Sequence, residues 1–484
     1  MEKVHFQQEQ MLAELKDLVQ KGLFTQSEIK EIMKKRTAFE TALVRRVAKK
    51  GDFLRYAAYE MGLETLRKKR VERLKIPPGP PSISDYALVR RQFYIFERAL
   101  KKFKSDVGLW VQYIEVAKRE NARTLVGRIT ARALQLHPNT PALYVLAAAH
   151  ELDHLSPSTA RTLLQRGIRL NGESVAMWRE YVKMELGFVE SLRRRWDLLG
   201  IELDGKGKGT SPPPPLDDAV DDEVEGDAAR IEIMNGAIVK SVITSAAKAL
   251  PKIELFTALQ HLISTYPSPE PLRAALLAHL HDELAAALPR DPEAVTLRAT
   301  HALSGDPSGG ALIDALKRAN EALLEAQPQE SQTAYGRGLS DAYAAFVREW
   351  CAKPIDDHLK TYLVASLRAQ IRRLSEPPPS LLAAHVRLMS TASPAASPEK
   401  ILRTARKYTA LQRRAAGVWL ARLDAEAAHA SATDVRAAWA EARANVDAED
   451  VWLWGVRGIH ASEEERVAVL EVRAVVSQRN RALC

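Results

Sequence analysis

Cysteine is nearly absent from this chain of 484 residues: there are two, and one of them is the terminal Cys484. Two cysteines cannot build a disulfide framework or a cysteine-based zinc site, so we expect a protein of a reducing, intracellular compartment. No apolar run, residues 142–149 included, approaches the roughly 20 residues that a membrane-spanning helix needs. The polar opening MEKVHFQQEQ shows no secretory signal. These absences argue against secreted, disulfide-rich and membrane-spanning proteins.

Sustained alternation of apolar and polar residues, which would indicate β-strands, is missing as well. Apolar residues recur instead at helical steps of three and four, and the first such stripe consists of Met11, Leu12, Leu15, Leu18 and Val19. Gly22 is suited to the end of that helix. Thr25 and Glu28 have the spacing of a capping box, so we expect a second helix over about residues 27–50 whose apolar stripe includes Val47. The chain is therefore predicted to be all-α.

The clearest signal is an internal repeat with a period of about 34 residues, a length known for helix–turn–helix repeats. Segments beginning at Leu109, Leu143 and Met177 align without gaps, and each carries residues of one helix face at steps of 3 and 7 from an aromatic side chain. The aligned residues are Trp110, Tyr144 and Trp178, then Tyr113, Ala147 and Tyr181, then Ala117, Glu151 and Glu185. We interpret the aromatic and glutamate positions as structural contacts between helices. They are too widely spaced along the chain to form a paired-carboxylate site.

A second helix repeats in phase with the first. Twelve residues before each aromatic position stand the sequences Arg98-Ala99-Leu100, Arg132-Ala133-Leu134 and Arg166-Gly167-Ile168. The small middle residue would let two helices approach closely. Four residues before each aromatic stand the good N-cap residues Asp106, Thr140 and Ser174. Periodicity, packing and capping thus agree on one helix–turn–helix unit.

A repeat of this kind is typical of α-solenoids, in which stacked helix pairs complete one another's core. Weaker copies are expected around Phe53, Tyr56 and Glu60, and again at Trp419 and Trp452. We therefore predict an α-solenoid of helix pairs. Its predicted parts are an N-terminal helical segment (1–80), repeats (81–203), a disordered Gly/Pro/acidic insertion (204–230) and C-terminal helical repeats (231–484).

Positive charge is concentrated at one end of the chain. The net charge is +13 over residues 1–203, −5 over residues 204–230 and +1 over the remainder. One basic run is the candidate contact for RNA phosphates or for a nuclear import receptor, and it consists of Arg67, Lys68, Lys69, Arg70, Arg73 and Lys75. A shorter run occupies residues 193–195. A solvated helix face is the alternative interpretation of both runs.

Other motifs do not develop into sites. Residues 200–207 nearly match a phosphate-binding loop but lack its Ser or Thr, and no strand precedes them. His279 and His281 are two residues apart and face different sides of a helix, without further ligands to complete a metal site. Cys351 has no evident histidine partner. We therefore predict no catalytic, cofactor or metal residues, no small-molecule substrate and no enzyme activity.

The pattern Trp178, Tyr181, Glu185, with the preceding RQFYIFERAL helix of residues 91–100, resembles the HAT (half-a-TPR) repeat. The segments GLFTQSEIKEIMKKRTAFE, DFLRYAAYE and LRKKRVERL, together with residues 82–118, are similar to the U-three small nucleolar RNA-associated protein six family. The resemblance covers about residues 1–200. Beyond them it rests on the HAT-like helices alone.

The resemblance implies a non-catalytic scaffold of the UTP-B subcomplex in the small-subunit processome. Such a scaffold is needed for pre-ribosomal RNA processing and 18S rRNA maturation, and it acts in the nucleus, within the nucleolus. Its implied partners are WD-repeat β-propeller proteins, with the pre-ribosomal RNA leader and the U-three snoRNA as further partners, and no membrane. Two alternatives stay open: a HAT-repeat scaffold of a messenger-RNA processing complex, and a solenoid that binds RNA directly.

Overall fold

The computed structural model describes residues 2–45, 47, 49–75, 82–199, 231–303, 305, 308–328, 333–391 and 397–457. The chain divides into two compact units, residues 1–234 and 235–484. Within the described residues every regular element is an α-helix or a short 3₁₀ helix, so the predicted all-α class is confirmed. The predicted insertion, residues 204–230, and the loop-like residues 200–207 lie outside the described residues.

The first unit opens with three helices: α1 (Glu2–Gln20), α2 (Gln26–Leu43) and α3 (Lys50–Leu74). The predicted capping box begins α2, because the Thr25 side chain accepts a hydrogen bond from the backbone of Glu28 and the Glu28 carboxylate accepts one from the backbone of Thr25. Gly22 lies in the left-handed region with φ of 71°, which reverses the chain after α1. A 3₁₀ helix (Ile83–Asp85) leads to the repeats.

Two details of this region differ from the sequence prediction. Helix α2 ends at Leu43 rather than near residue 50, because the chain must reverse before α3 can pack against α2. Val47 was expected in the apolar stripe but lies in the connection and is 75% exposed. Leu12 is also exposed, whereas Met11, Leu15 and Leu18 are buried, so the buried stripe of α1 is narrower than predicted.

The repeats consist of α4 (Ala87–Lys102), α5 (Val107–Arg119), α6 (Arg123–Leu136), α7 (Pro141–Asp153), α8 (Pro157–Leu170) and α9 (Val175–Leu199). The ends of α4, α6 and α8 are evenly spaced along the chain at the interval of the sequence repeat, and so are the beginnings of α5, α7 and α9. Neighbouring helices pack in sequence order, and α7 also contacts α9. The predicted period of the helix pairs is therefore confirmed. We call α5, α7 and α9 the first helices and α4, α6 and α8 the second helices.

The second unit begins with α10 (Ala237–Ala249), α11 (Ile253–Thr265), α12 (Glu270–Ala287), α13 (Pro292–Ala299), a 3₁₀ helix (His301–Leu303) and α14 (Gly310–Glu325). It continues with α15 (Ala334–Ala352), α16 (Asp357–Arg373), α17 (Pro379–Thr391), α18 (Pro398–Leu411), α19 (Ala416–His429), α20 (Ala432–Asn445) and α21 (Glu449–Arg457). Helices α18 and α20 are equally long, and the interval between them is the same as that between successive repeats of the first unit. The repeat length thus returns near the end of this unit.

Candidate binding surfaces of the repeat array

The aromatic repeat positions fix the loops between helices as well as filling the core. Trp110 and Trp178 are buried, and each indole N–H donates to the carbonyl six residues earlier, Lys104 O at 3.0 Å and Gly172 O at 2.9 Å. Trp419 repeats this geometry in the second unit, where its indole donates to Arg413 O at 2.7 Å. Tyr144, which stands at the middle position, is fully buried and has no indole. Each tryptophan therefore closes the turn that precedes its own helix.

The same loops are tied to one another at the repeat spacing. The His137 ring Nε2 lies 2.9 Å from the Lys104 carbonyl oxygen, and the Asn171 amide donates to the Pro138 carbonyl at 3.2 Å. His137 and Asn171 occupy equivalent positions of successive repeats, and so do their two acceptors. Each loop thus holds the loop of the preceding repeat, which fixes how successive helix pairs are placed.

The residue three places after the aromatic repeat position links first helices to second helices. Tyr113 and Tyr181 are buried, and each hydroxyl lies near the residue sixteen positions earlier: Tyr113 donates to Glu97 at 3.2 Å, and Gln165 donates to Tyr181 at 2.9 Å. The middle repeat has alanine at both corresponding positions, 147 and 131. The hydroxyl and its partner are therefore present or absent together.

Two glutamates of the pattern are buried ion-pair partners. Arg36 donates through Nε and Nη2 to the two carboxylate oxygens of Glu60, and Arg161 does the same to Glu185, each bond being 2.7 Å. The sequence separation of the partners is the same in both pairs. Glu151 is only half-buried, because the residue at the matching separation before it is a glycine. These carboxylates are bound to arginine, which gives them a packing role.

The repeat arginine is paired with a glutamate in two of the three second helices. Arg98 bonds Glu40 at 2.9 Å, and Arg132 bonds Glu97 at 2.9 and 3.1 Å. For Arg166, the position that corresponds to Glu97 is alanine, and Arg166 is exposed. Arg98 therefore joins α4 to α2, and Arg132 joins α6 to α4, whereas Arg166 remains available to solvent.

The small residues of the second helices are buried, and Gly167 lies at a close contact. Ala99, Ala133 and Gly167 are all buried. A Cβ on Gly167 would lie 2.5 Å from Met177 Cε and 2.8 Å from Tyr144 Cγ, so this position has room for glycine only.

The weaker copies of the pattern differ from each other. Phe53 and Tyr56 are buried in α3, and Trp419 is buried in α19. Trp452 is half-buried, and its indole N–H is buried without a hydrogen bond among the described residues. Trp439 takes the more central place beside Trp419, and its indole donates to Val451 O at 2.8 Å. Sequence spacing alone did not indicate Trp439.

Three of the six cations in the basic run at the end of α3 form ion pairs. Arg67 bonds Glu64 at 2.7 and 2.8 Å, Lys68 bonds Glu120 at 2.7 Å, and Arg70 bonds Glu28 at 2.6 and 3.0 Å. The hydrogen bonds from Arg70 are the main reason why the pKa of Glu28 is lowered to about 2. Arg70 also donates to the Leu23 carbonyl. These contacts make Arg70 a structural residue that joins α3 to α2.

The remaining cations of the run are exposed: Lys69, Arg73 and Lys75. Lys75 ends α3 in the left-handed conformation with φ of 47°. In the shorter run, Arg194 bonds Glu190 on its own helix at 3.2 Å, and Arg195 is exposed. Only part of each run is thus available to a phosphate group.

The remaining polar candidates are in structural surroundings. His281 is buried, with its Nε2 3.0 Å from Gln260 Oε1, and His279 Nε2 lies 3.0 Å from the Thr244 hydroxyl. Burial raises the pKa of the Cys351 thiol to about 11, which disfavours the thiolate. Across the described residues, no three His, Cys, Asp or Glu side chains are grouped to hold a metal ion. None of the described helices has the length and apolarity that crossing a membrane requires.

Comparison with known proteins gives matches in the N-terminal unit. Residues 8–91, which include α2 and α3, match the family model described as U3 small nucleolar RNA-associated protein 6. The N-terminal part of this chain is similar to that family. The resemblance predicted from the sequence is confirmed for this part, and the matched residues contain both partners of the Arg36–Glu60 and Glu28–Arg70 pairs.

Relatives in three organisms carry the same name. The U3 small nucleolar RNA-associated protein 6 of Schizosaccharomyces pombe is 43% identical over 206 residues, which make up 42% of this chain and 42% of that protein. The homologs from Mus musculus and Homo sapiens are 38% and 36% identical over 187 residues, which make up 38% of this chain and 31% of each. The chain thus matches less than half the length of these relatives.

Similarity to solved structures is weak over the whole chain. Yeast Tom70 is 10% identical with a TM-score of 0.27, with 88% of this chain and 99% of Tom70 covered. A TM-score this low does not establish a shared fold. The repeat architecture is identified from the helix spacing described above.

Proposed function

We propose that this chain is a non-catalytic scaffold of a U3 small nucleolar RNA-containing assembly, the small-subunit processome, and that it supports pre-ribosomal RNA processing and 18S rRNA maturation. The observation that carries the proposal is the similarity of about 200 residues to relatives named for their association with that snoRNA. By this proposal the chain acts in the nucleolus, and its protein partners are the WD-repeat β-propeller proteins of UTP-B.

The architecture supports a scaffold role. Stacked helix pairs present an extended surface, and proteins of this type use such surfaces to bind partners. The polar repeat residues are committed to contacts between helices, as the bidentate Arg161–Glu185 pair shows. A carboxylate held in this way serves the array and is poorly placed for acid–base chemistry.

Affinity purification of the tagged full-length chain from its own cells tests the proposal. We expect U3 snoRNA, pre-ribosomal RNA and WD-repeat proteins to be recovered, and depletion of the chain to reduce 18S rRNA relative to the large-subunit rRNA. Recovery of splicing or polyadenylation factors in their place would favour the messenger-RNA alternative. A strain that expresses the tag alone provides the control for background RNA.

A further inference from the structure

Positive charge in the repeats is concentrated on the second helices. Helix α4 contains five Lys and Arg residues and one acidic residue, and α6 and α8 each contain three Arg residues and no acidic residue. The first helices have nearly balanced charge: α5 contains two basic residues and one acidic residue, α7 contains two acidic residues and neither Lys nor Arg, and α9 contains five basic and four acidic residues. The basic excess of this part of the sequence therefore belongs to one set of helices.

The exposed positions of the second helices are equivalent from one repeat to the next. Six positions of α4, residues 90, 94, 97, 98, 101 and 102, and the equivalent residues of α6 and α8 are all exposed or half-exposed. We call these eighteen residues the second-helix face. Eight of them are Lys or Arg, and Glu97 is the one acidic residue among them. A face with so little compensating negative charge favours a polyanionic partner.

Four cations of the second-helix face have exposed side chains and lie outside the ion pairs that join the repeats: Lys101, Arg128, Arg166 and Arg169. Arg98 and Arg132 are held by Glu40 and Glu97. Arg166 corresponds to both of them in the repeat, but the position that corresponds to Glu97 is Ala131, which has no carboxylate. The face therefore carries charges that the fold does not need for its own cohesion.

We propose that the second-helix face binds the phosphate backbone of RNA. Arginine and lysine contact phosphate groups without reading sequence, and releasing counterions from the nucleic acid drives such binding. Tyr94 lies on this face, is 44% exposed and has the Arg98 guanidinium 5.3 Å from its ring centroid. An exposed ring beside a cation can stack on an unpaired base. We choose RNA over an acidic polypeptide because the proposed function places the chain in an RNA-containing assembly, and this inference rests on that function.

This surface differs from the basic run of α3. Three of the six cations in that run are already paired, and Arg70 is bonded to both Glu28 and the Leu23 carbonyl. Neutralising Arg70 would disturb the packing of α2 and α3 as well as any RNA contact. The second-helix face can be tested without breaking an inter-repeat ion pair.

The test compares two variants of the full-length chain. The face variant carries Lys101→Gln, Arg128→Gln, Arg166→Gln and Arg169→Gln. The control variant loses the same charge from exposed positions of the other unit, through Lys248→Gln, Lys252→Gln, Lys317→Gln and Arg348→Gln. Binding to a single-stranded RNA of mixed sequence is measured over a series of salt concentrations. Binding to polyglutamate is measured in parallel.

We expect the slope of log K against log salt to fall by about 3 in the face variant, since each phosphate contact contributes about 0.7 for a single strand. At about 0.1 M salt this corresponds to RNA binding that is weaker on the order of several hundredfold. The control variant should keep the parental slope to within about 1. Equal losses in both variants, or no loss in the face variant, would overturn the proposal. Loss of polyglutamate binding with RNA binding intact would assign the face to an acidic protein.

A folding control accompanies these measurements. Should thermal unfolding show that the face variant is destabilised, Arg166→Gln with Arg169→Gln replaces it, and about half of the slope change is expected. Failure of the surface and failure of the proposed function give different results. If the face variant loses RNA affinity but the parent protein recovers no U3 snoRNA from cells, the RNA-binding surface is supported and the proposed function is rejected.

Discussion

The guanidinium of Arg36 and the carboxylate of Glu60 form a bidentate pair in which the two side chains are 1% and 0% exposed. Removing one partner leaves a buried, uncompensated charge, which typically costs about 3–5 kcal/mol. We therefore predict that Arg36→Met destabilises the N-terminal unit by that amount. Urea unfolding followed by tryptophan fluorescence and circular dichroism measures the effect.

The double variant Arg36→Met, Glu60→Leu is the matched control. Because apolar residues can replace a buried pair at little net cost, it should regain most of the stability that the single variant loses. Arg161→Met should cost less than Arg36→Met, since the Arg161 side chain is 29% exposed. A double variant no more stable than Arg36→Met would show that the pair contributes by shape and not by charge.

A second prediction concerns Gly167, where an added Cβ would lie 2.5 Å from Met177 Cε and 2.8 Å from Tyr144 Cγ. Gly167→Ala forces these side chains apart and should cost about 1–3 kcal/mol. Gly127→Ala, in the interior of α6, meets no atom within 4 Å and should be neutral or stabilising by up to about 1 kcal/mol. Equal effects of the two substitutions in thermal unfolding would contradict the close approach of α8 to α7 and α9.

A third prediction is a pH dependence of the second unit. Burial, with a smaller contribution from the neighbouring His301, lowers the pKa of His281 from its ordinary 6.5 to about 4. The unfolded state then binds more protons between these two values, so this unit should lose stability as the pH falls from about 6.5 to 4. Burial also lowers the pKa of His385 to about 4, which adds to the effect.

Unfolding midpoints at a series of pH values test this prediction. His281→Leu should flatten the dependence between pH 4 and 6.5 by about one proton. Glu28 affects stability in a different pH range. Its pKa is lowered from 4.5 to about 2, so the stability that its carboxylate contributes is lost as the pH falls from about 4.5 to 2. A slope unchanged by His281→Leu would mean that this histidine does not determine the acid sensitivity.

A fourth prediction separates a role in stability from a role in nuclear import within the basic run of α3. Arg70→Gln breaks the bonds to Glu28 and Leu23 and should cost about 1 kcal/mol, since both members of the ion pair are partly exposed. Lys69→Gln with Arg73→Gln and Lys75→Gln should leave the unfolding midpoint unchanged. Glu28→Ala should cost more than Arg70→Gln because it also removes the capping box. The import role is tested by comparing nuclear accumulation of this triple variant with that of the parent. Lower accumulation of the variant supports the role, and equal accumulation contradicts it.

Sequence periodicity predicted the repeat well because helix length and the spacing of buried residues along a helix are local. Of the predicted N-cap residues, Asp106 accepts a hydrogen bond from the Leu109 backbone, whereas the Thr140 side chain makes no capping bond. The spacing placed Trp110 and Trp178 correctly on one face and marked Gly167 as a point of close approach. The offset from Arg36 to Glu60 recurs from Arg161 to Glu185, and this recurrence was a signal that could have identified the partners.

Other features depend on geometry that spacing does not contain. The hydrogen bond from Asn171 to the Pro138 carbonyl joins a side chain to backbone atoms that have no sequence signature. The engagement of Arg70 with Glu28 depends on how α2 and α3 cross. Val47 was misplaced because an apolar residue in a turn is indistinguishable from one in a helix when only spacing is considered.

The loop-to-loop bonds at His137 and Asn171 give this array a fixed unit of length. Removing residues 121–154 would join Glu120 to Leu155, and Asn171 would then take the place of His137 beside the Lys104 carbonyl. Trp178 would likewise replace Tyr144 in the stack. Removing a number of residues that is not a whole number of repeats would leave these donors without acceptors. The N-terminal array can therefore lengthen or shorten during evolution only in whole units of one helix pair.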